Sequence, residues 1–185
     1  MPRCVCEKVS VCSVKVNSEM SRPPELRAGL YELVGGRATD IGRTVNMVEL
    51  GFDKGGETYR MHIQCAFRVV REELILVGTA DMSFPRDDTA FDSRTTRYDR
   101  NATMLTDRFQ AGVFQVTEVE LADSGSFVIE LSHGVRIEAM PTCSGPFEAW
   151  RLFVKGDPDR HFVYPESSDY DGYPHYADAD WPEPV

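Results

Sequence analysis

The densest group of residues able to do chemistry is a polar stripe on one strand-like segment. From Tyr59 to Phe67 every second residue is apolar (Tyr59, Met61, Ile63, Cys65, Phe67), which leaves Arg60, His62, Gln64 and Arg68 on the opposite face. Two guanidiniums, an imidazole and an amide on one face could hold a carboxylate or phosphate by paired hydrogen bonds. In a curled sheet the same stripe would line a polar cavity. The competing reading is a solvated face paired with acids such as Glu49 and Glu73, the ordinary exterior of an antiparallel sheet. Asp81 stands where an apolar run ends and a long connection begins, a position that often carries function. Asp87, Asp88, Asp92 and Asp99 follow it. Their oxygens suit a divalent cation, but the spacing lacks the glycine and closing glutamate of a calcium loop. Turn-forming and capping roles are the preferred reading.

Other chemistries find little support. His62, His133, His161 and His175 do not cluster, and no H-E-x-x-H or paired histidine spacing occurs. The cysteines, Cys4, Cys6, Cys12, Cys65 and Cys143, are odd in number and lack C-x-x-C pairs. They fit neither a secreted disulfide framework nor a structural zinc site. No G-x-S-x-G is present, and Gly35-Gly36 lacks the Gly-Lys-Ser/Thr of a phosphate loop. The expectation is therefore a protein without cofactor or metal that binds another protein, the alternative being a small-ligand-binding protein or hydrolase with a polar cavity lined by the Arg60–Arg68 strand.

The C-terminal stretch from Glu166 to Val185 contains six acids and no lysine or arginine, and Tyr170, Tyr173, Tyr176 and Trp181 are interleaved with them. A purely solvating tail would carry fewer rings. Tyr170, Tyr173 and Trp181 are thus candidate anchors, either on the domain itself or on a partner. The formal charge is −10, and without those six acids 24 remain against 20 bases. Such a balance repels a phosphate backbone, so nucleic acid is not an expected partner, whereas a basic protein is compatible. No apolar run approaches the ~20 residues of a membrane helix. The first twenty residues carry charges and no continuous apolar core, so the expected location is cytoplasmic.

These residues need a scaffold, and the pattern specifies a mainly β one. Residues 1–20 read as an extension or edge strand, 21–165 as one β-rich domain and 166–185 as an acidic aromatic tail. Pro24 to Val34 predicts a short helix with Leu26, Leu30, Leu33 and Val34 on one face and Gly35-Gly36 as its stop. Val48, Leu50 and Phe52 alternate before an Asp53-Lys54-Gly55-Gly56 turn. Leu74 to Val77 is apolar on both faces and predicts a central strand. Phe127, Ile129 and Leu131 lead through His133-Gly134 into Val135, Ile137 and Ala139, a hairpin signal. Trp150, Leu152 and Val154 share a face of a further strand, and His161 to Tyr164 adds a short one. Between Asp81 and Gln110 the periodicity breaks down, with at most one helical turn in Ala102 to Phe109. The result is an antiparallel sheet protein, a sandwich or a partly open barrel, with one N-terminal helix; an α+β arrangement is also compatible.

The segment Phe147-Glu148-Ala149-Trp150-Arg151-Leu152, the hairpin before it and its opening Asp123-Ser124-Gly125-Ser126 carry a resemblance. So do Gly35-Gly36 to Phe52, Tyr59 to Arg68 and Gly78-Thr79-Ala80-Asp81. The order resembles small uncharacterised bacterial proteins with an E-x-W closing strand, some grouped with immunity proteins of contact-dependent toxin systems. The likeness covers Leu30 to Val154. It implies a non-catalytic protein that acts by binding another, and it carries no catalytic residue over.

Overall fold

The computed structural model describes residues 24–87, 90–143 and 147–165. The described chain is two antiparallel five-stranded sheets facing one another across a single core. The first contains β1 (Arg37–Thr44), β2 (Met47–Lys54), β3 (Glu57–Ile63), β9 (Trp150–Val154) and β10 (Asp157–Tyr164), in that spatial order. The second runs β5 (Leu74–Gly78), β4 (Ala66–Arg71), β8 (Val135–Met140), β7 (Phe127–Leu131) and β6 (Val116–Leu121). Both are open sheets, so the architecture is a sandwich rather than a closed barrel.

Alternation dictates the core. Val48, Leu50 and Phe52 on β2, Tyr59, Met61 and Ile63 on β3, and Trp150, Leu152 and Val154 on β9 are all buried. They meet Phe67 and Val69 on β4, Val135, Ile137 and Ala139 on β8, and Phe127, Ile129 and Leu131 on β7. Trp150 joins the two layers. Its ring stands edge-on to Phe127 at 5.3 Å, and its Nε1–H donates to the Gly125 carbonyl at 2.8 Å in the turn between β6 and β7. Tyr164 stacks on Trp150 at 5.6 Å and donates to the Ser124 carbonyl. Gly125 has φ +82, and a Cβ there would overlap the Tyr164 ring. Only glycine fits this turn.

The two helices close the open flanks of the sandwich. α1 (Pro24–Tyr31) lies against β10 and β6, and α2 (Arg97–Ala111) lies against β1 and β5. α2 corrects the single-helix expectation. Tyr98, Ala102, Leu105 and Phe109 are buried along one side of it, and Asp99 reaches back to the Thr96 N–H at 2.6 Å as an N-terminal cap. The helix serves the exposed edge of β1. Thr106 Oγ1 accepts from the Ile41 N–H and donates to the Ile41 carbonyl, both at 3.0 Å, and the Tyr98 hydroxyl donates to the Gly42 carbonyl. Arg43, 9% exposed in its side chain, forms a two-pronged pair with Asp99 at 2.7 Å on each prong. A bare strand edge is thereby satisfied by helix side chains.

Two further expectations change. Leu74 to Val77 is an edge strand, not a central one: Leu74 and Ile75 are 68% and 60% exposed, and only Val77 and Gly78 are buried. The stripe from Tyr59 to Arg68 is not one strand. The chain leaves the first sheet after Ile63 and enters the second at Ala66, so a continuous alternation crosses from one layer to the other. No helix among the described residues is long and apolar enough to cross a membrane.

Candidate functional site

The outward face of the first sheet receives Arg60, His62 and, at its margin, Gln64. Arg60 pairs with Asp40 at 2.5 Å although β2 lies between them. The intervening residue is Gly51, in register with both Arg60 and Asp40, and a Cβ there would lie 2.7 Å from Arg60 Nη1 and closer still to Asp40. His62 sits in a cross-strand row between Glu49 and Arg151. Burial pushes its imidazole below the usual range, against the pull of Glu49, so the ring is largely neutral at pH 7. Arg151 is held by both carboxylate oxygens of Glu148, which also accepts weakly from Gln64 Nε2 at 3.4 Å. In the Glu148-Ala149-Trp150-Arg151 segment the outer pair therefore ties the strand's start together while Trp150 points inward.

Next to His62 the surface is aromatic. The Phe153 ring is flanked edge-on by His62 at 5.0 Å and His161 at 5.6 Å. With the β9–β10 turn these side chains shape a shallow hollow of about 480 Å³ whose lining is mostly apolar.

The structure separates the other sequence-derived candidates from this face. Arg68 lies on the second sheet, where Glu138 accepts from Arg68 Nε and from Arg136 Nε, each at 2.5 Å. Asp81 occupies the 3-10 turn Thr79–Ser83 after β5 and accepts from the Gly78 N–H at 3.0 Å. Arg60, His62, Gln64, Arg68 and Asp81 therefore do not enclose a cavity: the first three look outward, and the last two belong to the other sheet. Asp87 pairs with Arg100 at 2.9 Å, and Asp92 folds its own loop by accepting from the Arg94 N–H at 2.9 Å. These two carry the turn-forming and pairing roles typical of loop aspartates. Asp88, Tyr170, Tyr173 and Trp181, with residues 1–20 and the tail, lie outside the described residues.

A group of carboxylates that sequence reading does not single out faces outward on the second sheet. Glu118 on β6 stands directly opposite Glu130 on β7, and Glu120 is two residues along the same edge strand, opposite Val128. Arg136 lies across from Glu130 on β8, but its guanidinium Nε is engaged by Glu138. Glu118, Glu120 and Glu130 have no cation within ion-pair distance among the described residues. Burial raises the Glu130 carboxyl above its ordinary range. Arg136 opposes that shift, while Glu118, Glu120 and Glu138 reinforce it. Like charges directly opposed across strands cost stability. Among the described residues no three His, Cys, Asp or Glu side chains converge closely enough to hold a metal ion, so this is a spread of charge rather than a chelating site. The sequence signal was present in Glu118, Glu120 and Glu130, all at outward positions of a hairpin, but only the register brings Glu118 onto Glu130.

No family model, curated protein or solved structure matches the chain.

Proposed function

We propose that this chain is a non-enzymatic protein-binding module, an immunity-type inhibitor that recognises a basic protein through its acidic surface. The observation that carries the reading is the Glu118–Glu130 opposition with Glu120 beside it. A fold that only needed solubility would place its acids apart or against cations, as this one does at Arg60–Asp40, Arg43–Asp99 and Arg160–Glu57. An acidic row that makes no ion pair among the described residues has its cost offset when lysines or arginines of a partner are set against it. The six acids of residues 166–185 add to the chain's net negative charge, which favours encounter with a basic partner.

The test is the association rate of the partner as a function of salt. With the native chain the rate should fall steeply as ionic strength rises. In a Glu118→Gln, Glu120→Gln, Glu130→Gln variant it should be slower at low salt and less salt-dependent. A rate unchanged by the three substitutions would remove this face from the interface.

A further inference from the structure

The hollow on the outer face of the first sheet is not used by the acidic-face reading, and its chemistry is different. Its lining includes the Phe153 ring, flanked edge-on by two imidazoles, together with Arg151 and with Gly156, Asp157 and Pro158 of the β9–β10 turn. An aromatic platform with N–H donors at its sides suits another aromatic ring that carries a hydroxyl or lies beside a carboxylate. A shallow depression cannot enclose most of a free small ligand, as a small-molecule site must. It is sufficient for one side chain of a segment already tethered nearby.

Such a segment leaves the same strand. His161 lies on β10, and β10 runs directly into residues 166–185, which carry Tyr170, Tyr173, Tyr176 and Trp181 among Asp, Glu and Pro. From Tyr164 back to His161 is ~10 Å along the strand. The six residues from Tyr164 to Tyr170 reach up to about 20 Å when extended. The first tail tyrosine can therefore double back onto the hollow, and the later rings have more slack. Tethering over so short a span gives an effective concentration of order millimolar, so contacts too weak to hold a free peptide suffice here.

We propose that the His62–Phe153–His161 hollow is the docking site for an aromatic side chain of this chain's own acidic segment 166–185. The seated ring would hold the tail's acids beside the first sheet, so the charge of residues 166–185 would act from a defined place. This inference does not depend on a basic partner binding the second sheet.

Amide hydrogen exchange on the full-length chain tests it. In the native protein, amides around at least one tail aromatic should exchange at least about tenfold more slowly than an unstructured peptide of the same sequence. Phe153→Ala, on the exposed side of β9, should abolish that protection while amides of the core strands stay protected. A second variant leaves the body untouched: Tyr170→Ser, Tyr173→Ser, Tyr176→Ser and Trp181→Ser together should shift the His62 and His161 imidazole resonances seen in the native chain. Tail amides exchanging at free-peptide rates in the native protein would overturn the proposal. So would protection that survives Phe153→Ala, because the tail would then dock elsewhere. Imidazole resonances unmoved by the tail substitutions would also count against it.

Discussion

Replacing Glu118 with lysine should make the fold more stable and the protein a worse partner for a basic target. Glu118 and Glu130 are register partners on adjacent antiparallel strands with side chains on the same outward face. Like charges so placed cost a few tenths of a kcal/mol, and an opposite-charge pair gains ~0.2–1 kcal/mol. Glu118→Lys converts the first situation into the second, for a net gain of about 1 kcal/mol. In a domain of this size that raises Tm by about 2–4 °C. Thermal unfolding followed by circular dichroism at low salt measures it. The gain should largely vanish near 1 M salt, where the screening length falls to about 3 Å. Glu130 supplies a pH signature for the same physics. Its carboxyl is raised in the folded state from an ordinary value of 4.5. The folded chain therefore binds that proton more tightly than the unfolded chain does. Stability is lost as pH climbs from the unfolded value through the folded one, and it stays lower above that window. Glu130→Gln should accordingly stabilise the protein at neutral pH and remove that decline. A Tm that falls on Glu118→Lys, or a rise indifferent to salt, would refute the electrostatic reasoning.

Three other substitutions probe how the scaffold is held. Gly125→Ala forces a side chain into a left-handed turn and into the Tyr164 ring, so it should cost ~2–3 kcal/mol in denaturant unfolding. Thr106→Val keeps the shape of the α2–β1 contact but deprives both the Ile41 N–H and its carbonyl of their partner; the expected loss is ~1–3 kcal/mol, with faster amide exchange along β1. At Asp99 burial pushes the carboxyl up, but hydrogen bonds from Arg43 and Thr96 outweigh it and hold the folded value at about 2, against an ordinary 3.8. Its stabilisation is therefore complete above the ordinary value and lost as pH falls toward the folded one. Asp99→Asn should lower stability at pH 7 and flatten the acid-unfolding curve over that interval.

Much of the sandwich was legible because its core strands obey a simple period. Phe52, Met61, Ile129, Ile137 and Leu152 each sit in a run of alternating apolar residues, and all are buried. β1 escaped notice because Arg-Ala-Thr-Asp-Ile-Gly-Arg-Thr buries only Ala38 and Ile41, and its outer edge is satisfied by Thr106, Tyr98 and Asp99 rather than by another strand. α2 was obscured by its charge, although Tyr98, Ala102, Leu105 and Phe109 keep helical spacing and Thr96 with Asp99 marks its start. The division of the Arg60–Arg68 stripe between two sheets could not be read from alternation, since the period continues unbroken through Gln64 and Cys65 while the chain changes layer. The acidic face depends on register, which local pattern does not specify. Glu118 meets Glu130 only because the turn around Gly125, locked between Trp150 and Tyr164, sets how β6 and β7 align.

Binding of a basic protein by the second sheet's acidic face is the proposal most open to experiment. Its most direct test compares what the native chain and a folded Glu118→Lys, Glu120→Lys, Glu130→Lys variant retain from the source organism's lysate at low ionic strength. One stoichiometric basic protein should be held by the native chain, released as salt rises and absent from the variant. If native and charge-reversed chains retain the same proteins, or neither retains a basic one, the acidic face is not a binding surface for a basic protein.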